Sequence, residues 1–95
     1  MAEISITRKH KLTARKAKAA AEEMALSLRD EFSLRHEWID PGHLRFKGLG
    51  VEGELVLARG EVTVNVSLGF LFLAFRRNLE AEIHRYFDER FGPVA

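Results

Sequence analysis

Between residues 51 and 68 the chain alternates hydrophobic and polar positions almost without a break. Val51, Gly53, Leu55 and Leu57 share one face opposite Glu52 and Glu54. Val62, Val64, Val66 and Leu68 share another, opposite Thr63, Asn65 and Ser67. A period of two marks a strand buried on one face only. Arg59-Gly60 between the two runs predicts a tight hairpin turn. The same period, more briefly, predicts strands over residues 3–8 (Ile4 and Ile6 against Ser5 and Thr7), 34–38 and 44–47. Asp40-Pro41-Gly42 reads as the turn between the last two, and Gly48 and Gly50 break the next join.

Two segments change to the helical period. Thr13 can cap a helix running to about Phe32, where Ala17, Ala21, Met24, Leu28 and Phe32 make a single apolar stripe. A second helix opens at Leu71 or Phe72, and Phe72, Phe75, Leu79, Ile83 and Tyr86 form its stripe, widened by Phe87 and Phe91. Gly92 and Pro93 form its stop signal. The order is β-α-β-β-β-β-α. Two amphipathic helices and a sheet with one apolar face complete each other as two layers. The fold class is therefore α+β: a five-stranded, mostly antiparallel sheet with both helices on one face. The position of the first strand in that sheet stays open. The predicted core is Ile4, Ile6, Met24, Leu28, Trp38, Phe46, Leu55, Val64, Val66, Phe75, Leu79 and Ile83.

Ninety-five residues and 10.8 kDa fit one domain spanning 1–95. With 46% hydrophobic and 31% charged residues the composition is that of a soluble globular protein. The absence of cysteine excludes disulfides, thiolate metal sites and cysteine nucleophiles. The longest apolar run, Phe70 to Phe75, is far too short to span a bilayer, and the N-terminus does not read as a signal peptide. The expected compartment is the cytoplasm.

No glycine-rich phosphate loop opens a helix, and no Gly-x-Ser-x-Gly elbow occurs. Gly48-Leu49-Gly50-Val51-Glu52-Gly53 has dinucleotide-loop spacing, but a strand follows it instead of a helix. Glu80, His84 and Asp88 fall on one helical face and could form half of a metal site, although weak i,i+4 pairing explains them more simply. His36 reads as a packed, hydrogen-bonded histidine. The expectation is no catalytic residue, no metal, no cofactor and no enzyme activity.

Charge is uneven along the chain. Residues 1–18 carry six Lys/Arg and one acid, while residues 19–95 carry nine and thirteen. Arg15 and Lys16 stand in the first turn of a helix, where the macrodipole is already positive, and no acidic residue completes a capping box. Arg8, Lys9, His10, Lys11, Arg15 and Lys16 are accordingly the candidates for anion or partner binding. No aromatic residue interleaves them and no groove-reading motif is present, so sequence-specific nucleic-acid recognition is not expected. A plainly solvated helix start remains the simpler alternative. Phe70, Leu71, Phe72 and Leu73 are the second feature. A helix covering a sheet needs an apolar stripe, and here the whole start is apolar. Enclosure by the first helix, a dimer interface, and contact with an apolar ligand or surface all remain open, and a homodimer or higher oligomer is favoured over a monomer.

Together, Ile4 to Leu12 (with its Arg8-Lys9-His10 segment), the alanine-rich helix, Trp38, Leu44-Arg45-Phe46-Lys47, Gly50-Val51-Glu52-Gly53, Leu68-Gly69-Phe70-Leu71 and the closing Ile83 to Phe91 form an ordered set. In that order and spacing the chain resembles the small bacterial polyhydroxyalkanoic acid system proteins, from about residue 3 to 91. The resemblance implies a granule-linked or storage-metabolism role and brings no active-site residue. The resulting expectation is a non-enzymatic accessory protein of polyhydroxyalkanoate granules or metabolism, cytoplasmic and granule-associated. Its partner would be a granule surface or granule protein, bound through the basic segment and the apolar helix start. The alternative is a small apolar-ligand carrier of shortened helix-grip type. A cavity between helix and sheet would favour the carrier.

Overall fold

The computed structural model describes residues 2–92, without the side chains of Ala2, Phe70, Leu71 and Phe72. The elements are β1 (Ala2–Lys9), α1 (Ala14–Phe32), β2 (Arg35–Asp40), β3 (His43–Gly48), β4 (Val51–Ala58) and β5 (Glu61–Leu68). A 3₁₀ segment (Phe70–Phe75), α2 (Arg76–Tyr86) and a π turn (Phe87–Phe91) follow. The sheet is antiparallel throughout, in the order β1-β5-β4-β3-β2. β2 to β5 form a meander, and β1 returns to pair with β5, opposing Ile4 to Val66 and Ile6 to Val64.

Register turns the alternation of each strand into rows across the sheet. Ile6, Val64, Leu55, Leu44 and Trp38 form one row, and Ile4, Val66, Gly53, Phe46 and His36 the next. These rows face the helices. Ala17, Ala20, Ala21, Met24, Ala25 and Leu28 of α1 are buried, as are Leu79, Ile83 and Tyr86 of α2. The alanines bring the axis of α1 close to the strands it covers. The opposite face is polar and wet, as one-sided packing of an antiparallel sheet allows. It carries hydrogen bonds from Ser5 to Asn65 (2.7 Å), between His43 and Glu54 (2.7 Å) and between Thr7 and Thr63 (3.0 Å).

Helix α1 begins and ends on local signals. Thr13 caps it, its Oγ1 accepting from Lys16 N–H at 3.2 Å. Ser33 takes the left-handed conformation at φ 59° and closes the last turn through its N–H to Arg29 O at 3.0 Å. The turns after Gly48 and Ala58 use positive φ at Gly50 and Gly60. The 40–42 turn instead has Asp40 Oδ1 accepting from Gly42 N–H at 2.9 Å, next to a register irregularity between Trp38 and Asp40.

Two core expectations change. The apolar segment before α2 is a 3₁₀ helix, so its residues advance by a third of a turn each and the α-helical stripe does not extend back through it. Phe75, expected in the core with Leu79, is 52% exposed. Trp38 is only half-buried because β2 is an edge strand. Its indole Nε1–H donates to Glu22 Oε1 at 2.8 Å, and Lys18 lies 5.1 Å over its ring. The stop signal assigned to Pro93 lies outside the described residues.

Candidate functional site

The end of β1, the start of α1 and the turns β2–β3 and β4–β5 meet at one end of the domain. The parity of β1 sorts the basic segment into two groups. Ile4, Ile6 and Arg8 share the helix side, while Ser5, Thr7 and Lys9 share the open side. Arg8 therefore turns toward the π turn. Its Nη1 donates to Asp88 Oδ1 at 2.5 Å, its Nη2 lies 3.1 Å from His84 Nδ1, and its guanidinium sits 5.6 Å from the Phe87 ring centroid. Lys9, Lys11, Arg15 and Lys16 are exposed.

His10 continues the inward parity. Its backbone N–H bonds Gly60 O at 3.0 Å, extending the β1–β5 pairing by one residue. The side chain is 7% exposed and packs against Phe91, with ring centroids 5.3 Å apart. Nδ1 accepts from Leu12 N–H at 3.1 Å, and Nε2 is buried with no hydrogen-bond partner among the described residues. Burial pushes the His10 pKa below its ordinary value, because an imidazolium is poorly solvated there. The ring is therefore neutral near pH 7, with its proton on Nε2.

The six binding candidates thus divide. Four stand on the surface around the start of α1, and Arg8 and His10 fasten β1 to the C-terminal turn. The parity Ile4, Ile6, Arg8, His10 was available in the sequence as the signal for this division. The structure also brings in Arg59, at the β4–β5 turn, which no local pattern links to the basic segment.

Between the start of α1 and the two turns lies a cleft of about 610 Å³. Leu12, Ala14, Ala17, Pro41 and Leu57 give it largely apolar walls, and His10, Thr13 and Arg59 also border it. Helix α1 has no acidic residue in its first turn. After Thr13 has accepted from Lys16 N–H, the N–H groups of Ala14 and Arg15 have no partner within the helix.

The opposite end of the domain exposes apolar side chains among polar ones. Leu49 is 90% exposed at the β3–β4 turn, and Leu73 is 42% exposed in the 3₁₀ segment. The other members of the predicted apolar interface, Phe70, Leu71 and Phe72, have side chains outside the described residues. Glu80, His84 and Asp88 do not form a metal-holding group among the described residues. His84 and Asp88 face Arg8 instead. His36, at 3.1 Å from Glu22 Oε2, shares with Trp38 the carboxylate that ties β2 to α1. No helix among the described residues is long and apolar enough to cross a membrane.

A family model described as "Putative polyhydroxyalkanoic acid system protein" matches residues 4–91, nearly the whole chain. No curated protein matches it.

Proposed function

The chain belongs to the polyhydroxyalkanoic acid system protein family, and from that membership we propose a non-enzymatic accessory protein that acts at polyhydroxyalkanoate granules or in their metabolism. It acts by binding, with the basic end of the domain as its contact surface. The observation that carries this reading is the division of the basic segment. Lys9, Lys11, Arg15 and Lys16 are exposed around a helix start that has no acid of its own, whereas Arg8 is engaged internally. Such a surface favours an anionic coat or an acidic face of a granule protein. Its location would be cytoplasmic, at the granule. Exposed Leu49 and Leu73 at the other end support self-association as a homodimer.

The test is co-sedimentation with isolated granules. Unmodified protein should sediment with them at low salt and be released at high salt. The triple variant Lys9→Glu, Lys11→Glu, Lys16→Glu should remain in solution, with thermal stability within about a kcal/mol of the original because exposed charges contribute little to folding. Equal sedimentation of both proteins at both salt levels would overturn the reading.

The cleft beside α1 supports the carrier as a second reading. It lies where helix and sheet part company, bordered by Ala14 and Ala17 on one side and Leu57 on the other.

A further inference from the structure

We propose that the outer edge of β2 pairs with the same edge of a second copy of this chain, antiparallel about His36, so that Arg35 of each copy stands opposite Glu37 of the other. β2 ends the sheet on its side, and no described strand pairs with its outer edge. The strand at the other end is blocked instead: Arg76 Nη2 donates to Glu3 O of β1 at 3.4 Å. An open edge is a ready template for another strand.

The backbone groups that β2 offers follow from the phase of the ladder. Leu57 N–H donates to Gly42 O at 2.8 Å. Backbone groups along a strand alternate between its two neighbours. Carried through the registers, this turns Leu44 and Phe46 toward β4, and Arg45 and Lys47 toward β2. The bond from His10 N–H to Gly60 O, at the far side of the sheet, has the phase this requires. Arg35 and Glu37 are therefore the β2 residues bonded to β3, and Leu34, His36 and Trp38 send their groups outward. Leu34 N–H is turned to Leu28 O at 3.4 Å, but the N–H groups of His36 and Trp38 meet no acceptor in the described sheet.

Charge selects the register. Centred on His36, the two His36 residues exchange N–H···O bonds, and Trp38 N–H meets the partner's Leu34 O. Arg35 and the partner's Glu37 then fall directly opposite each other, twice by symmetry. A shift of two residues either way sets Glu37 against Glu37 or Arg35 against Arg35, which is unfavourable. The irregularity between Trp38 and Asp40 ends the regular edge just past Trp38.

The residues concerned are free to pair. Arg35 and Glu37 are exposed, and neither makes an ion pair with a described residue. Within its own sheet Arg35 stands opposite Lys47, a like charge that the partner's Glu37 would offset. Half-buried Trp38 gains the partner's Leu34 as a cross-strand neighbour. Residues 34–38 on each side are far fewer than the roughly 20–30 of a standard interface, so the pairing is weak, with a dissociation constant on the order of millimolar. It uses none of Lys9, Lys11, Arg15 and Lys16, and neither Leu49 nor Leu73.

The experiment exploits a chain without cysteine. Full-length Arg35→Cys and Glu37→Cys proteins each carry one thiol. Directly opposite residues of a non-hydrogen-bonded pair have Cα atoms about 4.5 Å apart, within disulfide range. On oxidation of an equal mixture, the mixed disulfide should form at least about tenfold faster than either symmetric one. In the unmodified protein the amide shifts of His36 and Trp38 should move on dilution from about a millimolar. Arg35→Glu or Glu37→Arg alone should abolish that movement, and mixing the two variants should restore it, because each Glu then meets an Arg. A mixed disulfide no faster than the symmetric ones, dilution shifts that survive either reversal, or a mixture that restores nothing would each overturn the pairing. Both reversal variants should still sediment with granules, and the cysteines should still give the mixed disulfide in a Leu49→Glu, Leu73→Glu background. Loss of the mixed disulfide there would assign the contact to the other end of the domain and overturn the edge pairing while leaving the docking reading intact.

Discussion

The ring of Phe46 occupies the place where Gly53 would carry a side chain. A Cβ built on Gly53 would lie 2.5 Å from Phe46 Cε2 and 2.7 Å from the carbonyl oxygen of Asn65. The two residues are cross-strand partners in the row that faces the helices. Phe46 is buried there, so its ring cannot swing into solvent. Gly53→Ala must displace both a core aromatic and a backbone carbonyl, and overpacking of this kind costs about 1–3 kcal/mol. Urea denaturation should show that loss; a variant as stable as the original would mean that the ring and the Asn65 carbonyl both yield without cost.

Arg8 is expected to behave as a structural residue. It joins β1 to Asp88 and His84 and covers Phe87. Asp88 is largely exposed, so the ion pair alone is worth little, and most of the effect should come from lost packing on the ring. Arg8→Ala should cost about 1–2 kcal/mol. Arg8→Lys keeps the charge but loses the forked geometry, and should fall between the two. Granule binding should be less affected by either than by reversing Lys9, Lys11 and Lys16. Equal stability of all three Arg8 proteins by chemical denaturation would argue that the contact is dispensable.

Acid should destabilise the protein through His10. Burial lowers its pKa from the ordinary 6.5, so just below that pH the unfolded chain binds the proton more readily than the folded one. Stability contributed by the neutral ring is complete above 6.5 and declines as pH falls from there through the lowered folded value. Melting temperatures measured across this interval should fall more steeply in the original than in His10→Phe. Parallel pH profiles would place the acid sensitivity elsewhere.

Leu49 and Leu73 expose apolar surface at the end of the domain remote from the basic segment. Leu49→Glu with Leu73→Glu should give a folded monomer, while the unmodified protein should dimerise at high micromolar concentration. Sedimentation that finds the unmodified protein monomeric at that concentration would remove the case for self-association.

The meander and α1 were legible because their signals are local. Uninterrupted alternation in Val62 to Leu68 and the capping geometry of Thr13 both survive in the structure. The pairing of β1 with β5 was not legible, since it joins segments more than fifty residues apart. The helix start after Gly69 misled for a different reason. An all-apolar run carries no phase, so it gave no sign that 3₁₀ geometry would leave Phe75 outside. At the candidate site, charge singled out the end of the molecule where β1 meets α1. Strand parity, extended by one residue past Lys9, decided that Arg8 and His10 turn inward, and the cleft arises only when α1 meets turns from distant parts of the chain.

The place of β1 beside β5 also constrains the order of folding. β2 to β5 can pair successively through short turns, each closing a small loop. Residues 2–9 must wait for residues 61–68, so the first strand made is the last to find its partner. On the ribosome Ile4 and Ile6 emerge early and remain exposed until most of the chain has followed. The lysines and arginines that follow them would then keep this waiting segment soluble, a duty completed before the folded protein meets any partner.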